Sequence, residues 1–147
     1  MDLEFSGSTG INAPPEKAYS FLTDMRSVAM CVPGSSNFKS NGDKAFSLDV
    51  KINLGAVGGT FMLDGTVEET SGSGAAYRIK GHSAVGETEI LLSFDLRESG
   101  SGTLMLWKAD FILKGLVTGV GEGVINNISN EKIREIINNV KSRIETG

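Results

Sequence analysis

One cysteine, one histidine, one tryptophan and three prolines are all that this chain of 147 residues has of those types. Each shortage closes a class of explanation. A lone Cys31 can form no internal disulfide, which fits a reducing, cytoplasmic compartment. One cysteine and one histidine are too few ligands for a zinc site, so no metal and no cofactor is expected. A catalytic triad would need His82 beside an activated serine and a carboxylate, and the sequence has no Gly-x-Ser-x-Gly elbow. His82 instead follows Arg78 and Lys80 on the charged face of a predicted strand, where an exposed histidine is ordinary. Cys31 falls at the C-terminal end of a short predicted helix, the wrong end of the dipole for making a thiolate, and reads as a small buried hydrophobe. The formal charge is −4 with no basic cluster, so nucleic acid has no electrostatic footprint to follow. No apolar run approaches the roughly 18 residues of a membrane span. Met1 to Phe5 opens without the basic-then-apolar pattern of a signal peptide.

What the chain does have is alternation. Leu3, Phe5, Gly7, Thr9 and Ile11 form a first period-two run, stopped by Pro14 and Pro15. Pro is well placed in the first turn of a helix, and Glu16 suits the positive end of its dipole. The spacing predicts a helix from about Pro15 to Thr23 that buries Ala18, Phe21 and Leu22, and a second from about Met25 to Met30, ended by Pro33 and Gly34. Inward faces then recur: Phe46 to Leu54; Phe61, Leu63 and Val67; Tyr77 and Ile79; Ile90 to Leu96; Met105, Trp107, Ala109, Phe111 and Leu113. Bends are predicted at Gly58-Gly59, 71–74 and 98–102, at hairpin spacing, so the sheet is antiparallel. The length and the lack of a linker predict one domain, 1–147.

The last segment, about Gly115 to Glu145, is predicted to be one long amphipathic helix. Val117, Val120, Val124, Ile128, Ile133, Ile136, Ile137, Val140 and Ile144 form its stripe. Only the concave face of the sheet can bury it. Glycine costs about 1 kcal/mol in a helix interior, yet Gly119, Gly121 and Gly123 crowd its first turns. Two reasons stay open: the last strand packs too closely for a Cβ, or a cavity must be kept clear. The Gly119–Gly123 run also lacks a glycine at the sixth fingerprint position, where Val124 stands, and lacks a Gly-Lys-Ser/Thr, so it is no phosphate loop. Leu104, Leu106 and Ile112 fall on the outer face of the last strand and would suit a partner or a second copy, as in a homodimer.

These segments resemble a known family. Ile11-Asn12-Ala13-Pro14-Pro15-Glu16-Lys17-Ala18-Tyr19-Ser20-Phe21-Leu22 is similar to the opening of START/Bet v 1-like (SRPBCC) domains. Cys31-Val32-Pro33-Gly34, Gly59-Thr60-Phe61, Trp107-Lys108-Ala109-Asp110 and the glycine-rich start of the last helix narrow the resemblance to the CoxG family of carbon monoxide dehydrogenase subunits, over nearly the whole chain. The resemblance implies an α+β helix-grip fold: a seven-stranded antiparallel sheet wrapped around a long C-terminal helix, with two short helices after the first strand. It implies a hydrophobic cavity between them, and an accessory role beside molybdenum-containing CO dehydrogenase-type enzymes, with membrane recruitment and a lipophilic quinone. Many relatives carry a further apolar tail. Here the sequence stops at Gly147, so a soluble carrier is expected over a direct membrane anchor.

Three functions follow as expectations. The first is non-catalytic binding of a lipophilic small molecule, a quinone or lipid, in a cavity lined by Phe21, Met25, Phe46, Leu48, Phe61, Leu63, Trp107, Phe111, Val120 and Val124, with Gly119 and Gly123 making room. The second is an adaptor that docks on a larger enzyme, a molybdenum hydroxylase by the resemblance. The third is a cyclase- or hydrolase-like enzyme, which would need polar groups converging among inward faces that are almost wholly apolar.

Overall fold

The computed structural model describes residues 1–54 and 57–147. The elements run β1 (Asp2–Ile11), α1 (Pro15–Leu22), α2 (Met25–Ala29), β2 (Ser35–Ser40), β3 (Ala45–Leu54), β4 (Val57–Glu69), β5 (Gly74–Ser83), β6 (Gly86–Ser99), β7 (Gly102–Lys114), a 3₁₀ turn (Leu116–Val120) and α3 (Glu122–Thr146). The strands form one seven-stranded sheet in the order β1-β7-β6-β5-β4-β3-β2. Every pairing is antiparallel. Strands β2 to β7 follow one another as a meander, and β1 closes the sheet from the other end of the chain, with Asp2 opposite Ile112 and Ile11 opposite Thr103. This is the helix-grip architecture: an open, curved sheet laid against one long helix.

Local chemistry explains the joints. Pro14 is extended, and Pro15 fills the first helical position of α1, where no amide donor is needed. Asp24 caps α2 through Arg26 N at 3.3 Å and takes Ser27 Oγ at 2.8 Å. Thr103, buried, donates to the carbonyl of Ala13 at 2.7 Å and so pins the β1–α1 corner to the start of β7.

Two expectations need correction, and one strand gives no signal in the sequence. Gly58 and Gly59 do not bend the chain; they lie inside β4, paired with Asn53 and Ile52. The β3–β4 connection falls on residues 55–56, outside the described residues. Strand β2 has no counterpart in the alternation, because it is an edge strand whose register shifts between Ser36 and Lys39, where Asn37 takes φ 56°. The last helix does not begin at Gly115. A 3₁₀ turn comes first, and α3 starts at Glu122 after Gly121, whose φ of 102° only glycine adopts without strain.

That break resets the phase of the apolar stripe. In α3 the buried positions are Ile125, Ile133, Val140 and Ile144. Three clusters of buried side chains surround the helix. One joins Val140 and Ile144 to Ile11, Ala18, Leu22, Cys31, Leu96 and Met105. A second lies under α2, on β3 to β5. The third joins Leu3, Leu113, Val117 and Ile125 at the far end. They do not merge, and the space between them is the site.

Candidate functional site

Between α3, α2 and the concave face of the sheet lies a cavity of about 290 Å³. Its wall is almost wholly apolar. Strands β3 and β4 supply Phe46, Leu48, Val50, Ile52, Phe61 and Leu63; β6 and β7 supply Ile90, Leu92, Trp107, Phe111 and Leu113. Helix α2 adds Met25, Val28 and Ala29, and α3 adds Ile125, Ile128, Ile133, Ile136, Ile137 and Val140. An apolar void of about 150 Å³ already takes up benzene and stays dry, so this one suits a body of two fused rings or a short chain.

Of the residues proposed from sequence, Met25, Phe46, Leu48, Phe61, Leu63, Trp107 and Phe111 border the cavity. Five do not. Phe21 packs on the Ile144 cluster, and Val120 on the Leu3 cluster. Val124 is 48% exposed, because the break at Gly121 turns Ile125 inward in its place. Gly119 and Gly123 are exposed, and a Cβ on either would meet nothing within 4 Å. Neither close packing nor cavity room explains them. Ile128, Ile133, Ile136, Ile137 and Val140 belong to the predicted stripe but not to the expected cavity lining. Ile125 belongs to neither, although it is the natural continuation of a four-residue step back from Ser129 and Ile133.

The glycines that shape the interior sit in the sheet. A Cβ on Gly65 would overlap the Phe46 ring, and one on Gly81 would overlap Leu63 and Thr88. A Cβ on Gly7 would lie 2.7 Å from Trp107 Cζ2, and Gly7 is the cross-strand partner of Trp107. Each of these glycines lets a large neighbouring side chain lie down along the sheet rather than stand into the cavity.

Polar atoms are few, and most are spent. Tyr77 Oη donates to the carbonyl of Leu22 at 2.7 Å, tying the sheet to α1, and burial pushes its phenol well above the usual range. Lys132 Nζ donates to Pro33 O at 3.4 Å and Asn139 Nδ2 to Cys31 O at 2.9 Å, so α3 is fastened to the Cys-Val-Pro-Gly turn. Burial raises the Cys31 thiol above its ordinary value, with Arg143 opposing weakly, and Cys31 Sγ lies 3.4 Å from Ser27 O. Ser83 serves its own turn, through Gly86 O and Val85 N. Lys108 and Asp110 stay on the outer face, 3.9 Å apart, and His82 is exposed. Two inward polar atoms are buried with no hydrogen-bond partner: Thr88 Oγ1 and Trp107 Nε1. An orphaned buried donor costs about 1–3 kcal/mol. Among the described residues no group of three or more His, Cys, Asp or Glu could hold a metal ion.

Beside the cavity runs a second, smaller space of about 170 Å³ between β1 and α3, rimmed by Ser8, Thr9, Asn130, Arg134 and Asn138. Trp107, Ile133 and Ile137 line both spaces.

A seven-stranded antiparallel sheet gripping one long helix over an apolar cavity is the START/Bet v 1-like fold. Solved structures of this fold superpose over nearly the whole chain. A conserved protein from Geobacillus kaustophilus has a TM-score of 0.87 at 18% identity, covering 97% of this chain and 95% of that one. A START superfamily protein from Mycobacterium smegmatis has 0.77 at 16%, covering 97% of each. The Zhui aromatase/cyclase from Streptomyces sp. R1128 has 0.72 at 11%, covering 99% of this chain and 94% of that one. At such identities the likeness is one of fold. No curated protein matches the chain by sequence. The chain belongs to the CoxG family of carbon monoxide dehydrogenase subunits, whose profile matches residues 7–145. Among the described residues no helix is long and apolar enough to cross a membrane.

Proposed function

We propose that this protein is a non-catalytic, cytoplasmic carrier of one lipophilic small molecule, a quinone or a lipid, serving a CO dehydrogenase-type molybdenum enzyme. The observation that carries the reading is the apolar cavity of about 290 Å³ between sheet and helix, near the lower end of ligand-pocket sizes. Family membership supports the choice of enzyme. A cyclase-like chemistry has less support, although the Zhui aromatase/cyclase shares the fold. It would need titratable groups converging in the cavity. Tyr77 is committed to a backbone carbonyl, and Lys132 is tied to Pro33.

The lone Trp107 borders the cavity and reports on it. Titration with quinones and fatty acids is expected to change its fluorescence saturably for at least one class. Ile128→Phe, which fills the void from α3, is expected to weaken that binding at least tenfold while leaving the melting temperature unchanged or raised. A native protein whose emission responds to no member of the panel sinks the carrier reading.

A docking role through the outer face of β7 has one supporting observation, the exposure of Ile112 at 38%. Leu104 and Leu106 are only half-exposed and stand between Gly10 and Arg97 and between Ser8 and Asp95, so the patch is thinned by polar neighbours. A homodimer through these three residues would dissociate on Ile112→Asp, measured by sedimentation; a monomeric native protein rejects it.

A further inference from the structure

We infer that the ligand is an amphiphile that places a neutral carbonyl oxygen on Trp107 Nε1, at the boundary with the β1–α3 groove, and its apolar body in the cavity. The inference rests on the carrier reading and assigns the ligand an orientation. An indole N–H can only donate, and this one is buried without an acceptor. Buried donors are nearly always satisfied, so an orphan in a cavity wall asks for a partner that the protein itself does not supply. The placement is built rather than accidental. Gly7 is the residue opposite Trp107, and a Cβ there would come within 3.2 Å of Nε1 itself. The glycine therefore lets the N–H edge of the indole lie down towards β1, on the side of the groove.

The surroundings give the ligand two ends. On one side of Trp107 is the apolar cavity; on the other is the space rimmed by Ser8, Asn130, Arg134 and Asn138, where a polar end can keep contact with water. Thr88 Oγ1 is the competing donor, and it too borders the cavity. It sits opposite Leu113, however, roughly 20 Å along the strand from Trp107 at about 3.4 Å per residue. Leu113 belongs to the apolar Leu3–Val117–Ile125 cluster. One head group cannot reach both donors, and only Trp107 adjoins a polar exit. Beside the wall Lys132 is tied to Pro33 O, and Arg134 is exposed on the rim of the groove, whereas Trp107 Nε1 is buried. A neutral carbonyl therefore suits the buried Nε1 better than a carboxylate, whose charge would have to leave the water at the rim.

The single tryptophan makes the test direct, since ¹⁵N-indole labelling gives one cross-peak. Two probes of matched outline are used: 2,3-dimethyl-1,4-naphthoquinone, which carries carbonyl oxygens, and 2,3-dimethylnaphthalene, which does not. The expected result is saturable binding of both, about tenfold tighter for the quinone, with the indole proton moving downfield only with the quinone. In Trp107→Phe, followed by calorimetry, that preference is expected to fall to about twofold or less with the hydrocarbon bound as before. If the preference survives in Trp107→Phe, or if Thr88→Val removes it, the orientation is overturned while the carrier reading stands. An indole peak that ignores the bound quinone overturns it equally, and that measurement on the native chain is decisive should Trp107→Phe fail to fold. If neither probe binds, the orientation and the carrier reading fall together.

Discussion

From Val140 onward the inner face of α3 is packed and tied, whereas around Ile128 the same helix borders a void. At the C-terminal end Ile144 and Val140 are 1% and 4% exposed, packed among α1, β1 and β7. Polar ties reinforce them: Lys141 Nζ donates to Gly10 O at 2.9 Å, Glu145 accepts from Asn12 N at 2.8 Å, and Asn139 holds the Cys31 carbonyl. At the other end α3 begins on Gly121 with no side-chain cap, and Ile128 is half-buried against the cavity. Similar isoleucines serve both ends. The difference teaches that a fold can concentrate its packing in one region and so leave another underpacked without losing the element that spans them.

Substitutions can break or sharpen this contrast. The largest effect is expected from Ile144→Ala, at about 3–4 kcal/mol, since a fully enclosed side chain leaves a cavity behind. Ile128→Ala borders empty space already and should cost about 1 kcal/mol. Urea unfolding of the two variants decides the matter, and equal losses would dissolve the comparison. Next comes Asn139→Ala, which strands the Cys31 carbonyl and should cost about 1 kcal/mol. Asn127→Ala, exposed on the cavity half of the helix, should stay within about 0.5 kcal/mol. The smallest effect concerns Glu145. Its hydrogen bonds to Lys141 and to the Asn12 amide hold its carboxyl below the ordinary glutamate value. A lowered folded-state value stabilises above the unfolded one, and the gain is lost as pH falls through the folded value. Glu145→Gln should therefore be slightly less stable than the native chain at neutral pH and equal to it in acid. A difference that persists unchanged in strong acid would assign it to packing instead.

Much of this was legible in the residues. Period-two runs placed the inward faces of β3 to β7, and Pro14-Pro15 placed the start of α1, because both signals are local. Strand β2 was silent: an edge strand bulged at Asn37 has one apolar residue that matters, Phe38, and no alternation to read. The stripe was misphased at Val120 and Val124 because a single left-handed residue, Gly121, divides what composition presents as one helix. The working glycines were harder still. Gly7, Gly65 and Gly81 act on side chains from neighbouring strands, and the partner is known only once register is known. The cavity was foreseen as a space. Which part of the helix borders it, and where its unsatisfied donors sit, depended on three-dimensional phase.

The pairing of β1 with β7 also sets a clock. Thr103 and Ala13, which lock that corner, lie 90 residues apart in the chain. At a synthesis rate of roughly 5–20 residues per second, β1 emerges about 5–20 s before its only partner strand exists. During that interval Leu3, Phe5 and Ile11 have no sheet to join, and the meander from β2 to β6 can zip up without them. Completion then waits for β7, and α3 follows last. In a refolding experiment from denaturant no such delay applies. The nascent chain and the refolding chain should therefore pass through different partly folded species on the way to one structure.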